Sequence, residues 1–313
     1  MEKVIILLGP TGVGKTAVSI LLAKHLNTEI ISSDSMQIYR HMDIGTAKPS
    51  KEERQMVKHH MIGIVEPWES YSTGEYIKTV QPIIENLQKE GKIPVVVGGT
   101  GLYIKAMTRG IFKGPPADWD LRNGLLQREE EFPGYLYKYL KSLDPVAVAK
   151  IMPTDTRRII RALEVCLKSN KTMSEMHQAL TKPLPYEFIK IGITRDRKEL
   201  YRMIEQRVDK MIEQGLVDEV KRVIQMIKEH FSKFELNSSV SSLQAIGYKE
   251  IAMHLNGEIS LEEAIALLKK RSRNYAKRQF TWFKKEEGIQ WIDVTGIHDP
   301  YQIFQKVLQF IYA

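Results

Sequence analysis

The residues best equipped for chemistry stand at the start of the chain. Gly9-Pro10-Thr11-Gly12-Val13-Gly14-Lys15-Thr16 follows the apolar run Val4-Ile5-Ile6-Leu7-Leu8 and precedes a helical pattern, the strand, loop and helix setting of a phosphate-binding loop. Glycines let the backbone wrap closely, so that successive N–H groups and the helix N-terminus face an anion; Lys15 adds a cation and Thr16 offers a hydroxyl to Mg²⁺. A bound diphosphate or triphosphate follows. What the phosphates carry is a separate question.

Ligands of a parallel sheet lie beyond the carboxyl ends of its strands, so the residues just after each strand are the next candidates. The segment Glu29 to Ser33 delivers Asp34-Ser35 to that edge. A carboxylate there can bind Mg²⁺ through water or take a proton, work worth about 10²–10⁴ in rate; a turn or cap aspartate is the structural alternative. Ile93 to Val97 ends in Gly98-Gly99-Thr100-Gly101, where a nucleotide-hydrolysing motor carries a metal-binding aspartate. Its absence argues against an ATPase cycle and leaves Thr100 to contact a phosphate or bridging oxygen, or else to cap the helix that follows.

Lys269 to Lys285 holds eight basic residues and no acidic one, interleaved with Tyr275, Phe280, Trp282 and Phe283. At helical spacing Lys270, Arg273, Lys277 and Lys284 share one face, while Ala276, Phe280 and Phe283 form a stripe expected to pack on the core. That basic face is suited to a phosphate backbone, with a merely solvated face as the alternative. Arg157, Arg158 and Arg161 form a second basic cluster and Arg195, Arg197, Arg202 and Arg207 a third, with Glu164 and Glu205 as surface salt-bridge partners. His59-His60 has no metal-ligand spacing and reads as structural or surface.

The elements that must position these residues are an α/β fold: a P-loop parallel sheet core wrapped by helices, with an inserted all-helical lobe. Strand-like runs at 3–8, 28–32 and 93–97 alternate with helical patterns at 15–27 and 73–89. From Pro115-Pro116 to Pro185 the pattern is short and helical, at 119–131, 135–142, 145–150 and 154–169. Strand character returns at 188–193, followed by helices near 197–230 and 260–286 and a last strand near 289–294. The core domain is therefore 1–114 with 186–313, the inserted domain 115–185, and Phe231 to Ser242 the expected mobile loop. The 313 residues carry 46 Lys and Arg against 38 Asp and Glu, a formal charge of +8 that suits an anionic partner. A single cysteine, Cys166, excludes internal disulfides and multi-cysteine zinc sites. No segment reads as a leader or membrane span, so the expectation is a cytoplasmic protein; nothing in the sequence demands a partner chain, so the expected state is a monomer.

Several segments together resemble the bacterial tRNA dimethylallyltransferases, also called tRNA isopentenyltransferases. Besides the loop at Gly9 to Thr16 they are Asp34-Ser35-Met36-Gln37-Ile38-Tyr39, Met42-Asp43-Ile44-Gly45-Thr46-Ala47-Lys48-Pro49, Val97-Gly98-Gly99-Thr100-Gly101-Leu102-Tyr103, Arg161-Ala162-Leu163-Glu164-Val165, Ala245-Ile246-Gly247-Tyr248-Lys249-Glu250 and Tyr275-Ala276-Lys277-Arg278-Gln279. The resemblance implies transfer of a dimethylallyl group from its diphosphate to N6 of adenosine 37, just 3′ of the anticodon of tRNA, with release of pyrophosphate. The partners it implies are the tRNA anticodon stem-loop and dimethylallyl diphosphate, and the cofactor is Mg²⁺ at Thr16. By the same resemblance Asp34 takes the N6 proton and Thr100 and Arg207 assist at the diphosphate. The residues it implies at the tRNA are Asp34, Ser35, Met36, Gln37, Thr100, Arg122 and Arg157-Arg158-Ile159-Ile160-Arg161; the basic face adds Arg273 and Lys277. The chain departs from the family in having Met152-Pro153-Thr154-Asp155 where His-Pro-Asn-Asn is expected. Three alternatives remain open here: a small-molecule kinase with ATP in the loop, a transferase acting on free AMP, and a noncatalytic RNA-binding protein.

Overall fold

A computed structural model describes residues 2–112, 114–231 and 240–312. Its sheet has six parallel strands: β1 (Lys3–Leu8), β2 (Ile30–Ser33), β3 (His59–His60), β4 (Val95–Gly98), β5 (Glu187–Thr194) and β6 (Ile289–Asp293), in the spatial order β3-β2-β4-β1-β5-β6. β1 is central because it can be buried on both faces: Val4 to Leu8 are all fully inaccessible, as an unbroken apolar run in a parallel sheet requires. Leu8 pairs with Gly98 on one side and Gly192 on the other, and Ser33 pairs with Gly98. The register thus brings the phosphate loop, Asp34 and Thr100 to the same edge.

The chain divides into two compact units, Met1–Ile104 with Pro185–Ala313, and Lys105–Leu184. In the larger unit the helices are α1 (Lys15–His25), α2 (Lys51–Met56), α3 (Thr73–Lys89) and the start of α4 (Gly101–Arg109). The smaller unit holds the rest of α4 and α5 (Trp119–Glu131), α6 (Tyr135–Leu143), α7 (Pro145–Val148), α8 (Thr156–Ser169) and α9 (Met173–Leu180). The larger unit resumes with α10 (Arg197–Glu213), α11 (Leu216–His230), α12 (Tyr248–Leu255), α13 (Leu261–Phe283) and α14 (Pro300–Ile311). Capping boxes start α2, α3, α9 and α13 through Ser50, Ser72, Thr172 and Ser260. Among the described residues no helix is long and apolar enough to cross a membrane.

The helical stretch expected near 197–230 is formed by two helices, because Gly215 takes φ 93° between α10 and α11, a left-handed turn that breaks the ladder. The other expected strands and helices occur with ends shifted by a few residues, whereas β3, α2, α9, α12 and α14 add to them. Of the loop expected at Phe231 to Ser242, residues 232–239 lie outside the described residues. Phe231 ends α11 and Ser242 opens a 3₁₀ turn.

The smaller unit has its own core of Leu136, Leu140, Ile159, Ala162 and Leu163. Leu163 is fully buried there, so Leu163→Ala leaves a cavity costing about 2–5 kcal/mol. The expected result is a clearly lower denaturant midpoint for this unit, followed by a probe on Trp119; an unchanged midpoint would contradict the packing.

Candidate active site

The phosphate loop is held from two helices outside it. The Thr11 N–H donates to Gln279 Oε1 of α13 at 2.8 Å, and Arg207 Nη2 of α10 donates to Thr11 Oγ1 at 2.8 Å. Lys15 Nζ donates to the carbonyls of Gly9 and Pro10, at 2.9 and 2.8 Å. Gly14 caps α1 with φ 102°, a conformation open to glycine that leaves the first helical N–H groups free toward a ligand. Burial pulls the Lys15 ammonium down to about 8, opposed by the Asp34 charge and reinforced by Arg207. Burial likewise lowers Arg207, with Asp34 opposing it.

Asp34 follows β2 and folds back on its own turn: Oδ1 accepts from the N–H groups of Met36 and Gln37 at 2.9 and 3.4 Å. The turn-forming alternative is thus real, yet it occupies only one oxygen. Thr100 locks that turn against β4, its Oγ1 accepting from the Ser35 N–H at 3.0 Å and its N–H donating to the Ser33 carbonyl at 3.1 Å. The Thr100 carbonyl caps the first turn of α4, so the residue serves the helix and the turn together. Burial, followed by the Asp34 charge, raises the Tyr275 phenol of α13 far above its usual value, so it stays protonated beside Thr100 and Gln279. Gln279 Nε2 in turn donates to the Gly99 carbonyl at 3.0 Å.

Thr11, Lys15, Thr16, Asp34, Arg207 and Gln279 line one cavity of about 360 Å³, whereas Thr100 and Tyr275 do not reach its lining. Its far wall is the segment after β2. Gln37 accepts from the Ser32 hydroxyl at 3.2 Å and donates to the carbonyls of Thr46 and Ala47 at 3.3 and 3.2 Å. The turn bearing Thr46 is built on Glu219 of α11, a buried carboxylate that accepts from the N–H groups of Asp43, Ile44 and Gly45 at 2.9, 2.8 and 2.9 Å, and from the Tyr248 hydroxyl at 2.5 Å. Gly45 is required because a Cβ would stand 2.5 Å from the Tyr248 ring.

Sequence reasoning missed Glu219 and Gln279. Gln279 was legible as a polar residue on the Ala276 and Phe283 stripe of α13, where a helix would otherwise bury an apolar side chain; Glu219 gave no such signal. His59, read as structural or surface, lines the cavity with Nδ1 at 2.7 Å from the Val57 carbonyl.

In the smaller unit Glu164 is not a surface partner but fully buried. It receives Arg122 Nε and Nη2 at 2.9 and 2.8 Å, the Asp118 N–H at 2.7 Å, and Arg161. Ile159 and Ile160 lie in that unit's core, whereas Arg157 and Arg158 are exposed. Asp155, in the segment that departs from the family pattern, caps α8 by accepting from the Arg158 N–H at 3.2 Å. On α13, Arg273 pairs with Glu205, and Lys277 lies exposed on a second cavity beside Phe280. Among the described residues no cluster of three or more His, Cys, Asp or Glu is arranged for a metal ion.

Glu219→Ala strands three backbone N–H groups and should cost roughly 3 kcal/mol or more, whereas Tyr248→Phe leaves the carboxylate three donors and should cost about 1.5 kcal/mol. Urea midpoints of the two variants give the comparison. The reverse order would contradict the account of this wall.

Comparison with known proteins finds relatives along the whole chain. The profile of the family described as IPP transferase matches residues 37–286. A tRNA dimethylallyltransferase of Thermodesulfovibrio yellowstonii is 58% identical over 312 residues, covering 100% of this chain and 97% of its own length. Its counterpart in Thermotoga maritima is 44% identical, covering 99% of this chain and 98% of its own. Among solved structures, the full-length tRNA isopentenylpyrophosphate transferase of Bacillus halodurans superposes with a TM-score of 0.71 at 40% identity, covering 100% of this chain and 97% of that one. A eukaryotic dimethylallyltransferase acting on tRNA superposes with a TM-score of 0.84 at 31% identity, covering 100% of this chain and 80% of that one. The phosphate loop, the aspartate facing it and the helices that brace both therefore belong to a member of the IPP transferase family, the family of the tRNA dimethylallyltransferases.

Proposed function

We propose that this protein transfers the dimethylallyl group of dimethylallyl diphosphate to N6 of adenosine 37 in the tRNA anticodon loop. The bond from the allylic carbon to the diphosphate oxygen breaks, a bond from that carbon to N6 forms, the N6 proton passes to Asp34, and pyrophosphate leaves. The observation that carries this reading is one cavity holding both the phosphate loop with Lys15 and the Asp34 carboxylate, one of whose oxygens is free of the turn. Arg207, poised on Thr11, stabilises the departing charge with the loop N–H groups. Thr100 holds Asp34-Ser35 in place.

Mg²⁺ fits the donor set. With no carboxylate cluster among the described residues, the ion would rest on the Thr16 hydroxyl and the substrate's own oxygens, the usual pattern for phosphate-bound Mg²⁺. It would supply charge neutralisation on the leaving group. Ser35, Met36 and Gln37 would meet the RNA beside Asp34. Exposed Arg157, Arg158 and Lys277, together with Arg273, would meet its phosphates, and Arg122 and Arg161 would do so through the donors left over from Glu164. An adenine stacked in the loop must be flipped out to react, costing a few kcal/mol that these backbone contacts offset.

The direct test incubates the protein with dimethylallyl diphosphate, Mg²⁺ and unmodified tRNA and looks for prenylated adenosine by mass spectrometry. Transfer of γ-phosphate from ATP without prenylation would decide for a kinase, and equal activity on AMP for a free-nucleotide transferase. Asp34→Asn should lower kcat by about 10²–10⁴ with tRNA affinity unchanged; a loss below tenfold removes Asp34 as the base.

Lys15 gives a pH dependence. Its pKa in the free protein is about 8, and a bound anion raises it, so binding takes up a proton above that value. Affinity for dimethylallyl diphosphate should be flat from pH 7.5 to about 8 and then fall by up to tenfold per pH unit until the bound-state value is passed. Calorimetry in buffers of different ionisation heat should show proton uptake at pH 9 and little at pH 7.5.

A further inference from the structure

A second cavity, of about 540 Å³, opens outside the phosphate-loop site. It lies on the carboxyl edge of the same sheet, where β5 ends in Thr194 and passes into α10, and is closed by the last turns of α13 and by Trp291 of β6. Its size falls within the range of ligand sites. Its composition is unusual for an ordinary surface groove: Arg197, Lys277 and Lys284 are exposed cations, Tyr201, Phe280 and Trp291 are aromatic, and no carboxylate lines it.

The neighbouring acid is spent elsewhere. Glu199 is buried against Arg195 and accepts from the Gly296 N–H at 3.0 Å. Arg195, with its side chain only 1% exposed, forms the floor, its charge paired with Glu199. Its Nη2 donates to the Ile297 carbonyl at 2.7 Å, so the guanidinium is fixed and its charge is not free to follow solvent. Arg197 is preset as a flat surface: Nε donates to the Tyr201 hydroxyl at 2.8 Å and its guanidinium lies 5.2 Å over the Tyr201 ring. Trp291 can lie on β5 because Gly192 has no side chain; a Cβ there would come within 2.6 Å of the indole. Lys277 on α13 and Lys284 at its C-terminal cap are seven residues apart and so about 10 Å apart along its axis, one on each side of Phe280.

A patch with fixed aromatic faces between cations recognises one chemistry, a base whose π-face stacks while its phosphates meet the cations. We infer that this groove binds one nucleotide of the substrate RNA other than the adenosine that reacts, and so anchors the strand at the sheet edge. The inference rests on the reading that the protein acts on tRNA. A free nucleotide would offer the same chemistry; the length of the cationic row, reaching from Lys277 to Lys284 and past one phosphate, favours a strand.

The test measures fluorescence anisotropy of a labelled anticodon stem-loop RNA with the wild-type protein, Arg197→Ala, Lys284→Glu and Trp291→Leu. Prenylation by each is followed at saturating RNA. The expected result is RNA affinity lower by roughly 5- to 100-fold in each variant. The slope of log affinity against log salt should be smaller by about one in the two charge variants. kcat at saturating RNA and KM for dimethylallyl diphosphate should be unchanged, which shows that the fold and the phosphate-loop site are intact. RNA affinity within twofold of wild type in all three variants overturns the inference. So does binding of free AMP that is lost in Arg197→Ala while RNA binding is kept, because the groove would then be a mononucleotide site. A wild-type protein that binds RNA without prenylating it counts against the proposed reaction alone; the affinities of the variants still decide the groove.

Discussion

The site depends on one buried amide. Gln279 is 6% exposed and bridges the two loops beyond the paired ends of β1 and β4, accepting from Thr11 N–H on the phosphate loop and donating to the Gly99 carbonyl after β4. A carboxamide is suited to this because it presents an acceptor and a donor at fixed separation, and a buried N–H or C=O left unpaired costs about 1–3 kcal/mol. Beyond that pairing, the spacing of the anion cradle and the Thr100 loop is fixed by a side chain from α13, the helix that also carries the basic face. Gly99 accepts this bridge only because it lacks a side chain: a Cβ would lie 2.2 Å from Gln279 Nε2.

Charge placement follows the same economy. Lys15, Arg207 and Asp34 are close enough to perturb one another, and the two cations lose stability through burial that Asp34 only partly offsets. Such an arrangement costs folding free energy in the absence of an anion and returns it when one binds, since desolvated cations attract a diphosphate far more strongly than solvated ones. The stability is supplied elsewhere, by the inaccessible β1 run and by Glu219 under the turn at Asp43 to Gly45.

Much of this was legible in the sequence and part of it was not, for physical reasons. The phosphate loop, β1 and the carboxyl-edge placement of Asp34 and Thr100 are local patterns, set by glycine geometry and by apolar runs of strand length. Gln279, Glu219 and the division of 197–230 at Gly215 depend on partners hundreds of residues away or on a single backbone angle, and periodicity is silent about both. Glu164 was misjudged for the opposite reason: helical spacing paired it with Arg161 as a surface contact, whereas tertiary packing buries it completely and adds Arg122 and the Asp118 N–H. β3, two histidines at the sheet edge, has too little apolar character to register as a strand.

The strand order explains why one cavity can run a reaction with two opposing demands. A departing diphosphate needs positive charge and donors, whereas the attacking amine needs a carboxylate, and the two would neutralise each other if one loop carried both. Here β1 supplies the donors and β2 the carboxylate, and β4 lies between them in the sheet, contributing Gly98-Gly99-Thr100 with no charge of its own. Thr100 holds the carboxylate side: its hydroxyl accepts from the Ser35 N–H of the Asp34-Ser35 turn, while Gln279 binds the Gly99 carbonyl next to it and the Thr11 N–H on the cradle side. An aspartate at the end of β4, as in a nucleotide-hydrolysing motor, would set a second negative charge beside Asp34 and draw the cations away from the leaving group. In the reaction proposed above, the uncharged glycine-threonine loop is thus the feature that keeps the anion cradle and the carboxylate apart.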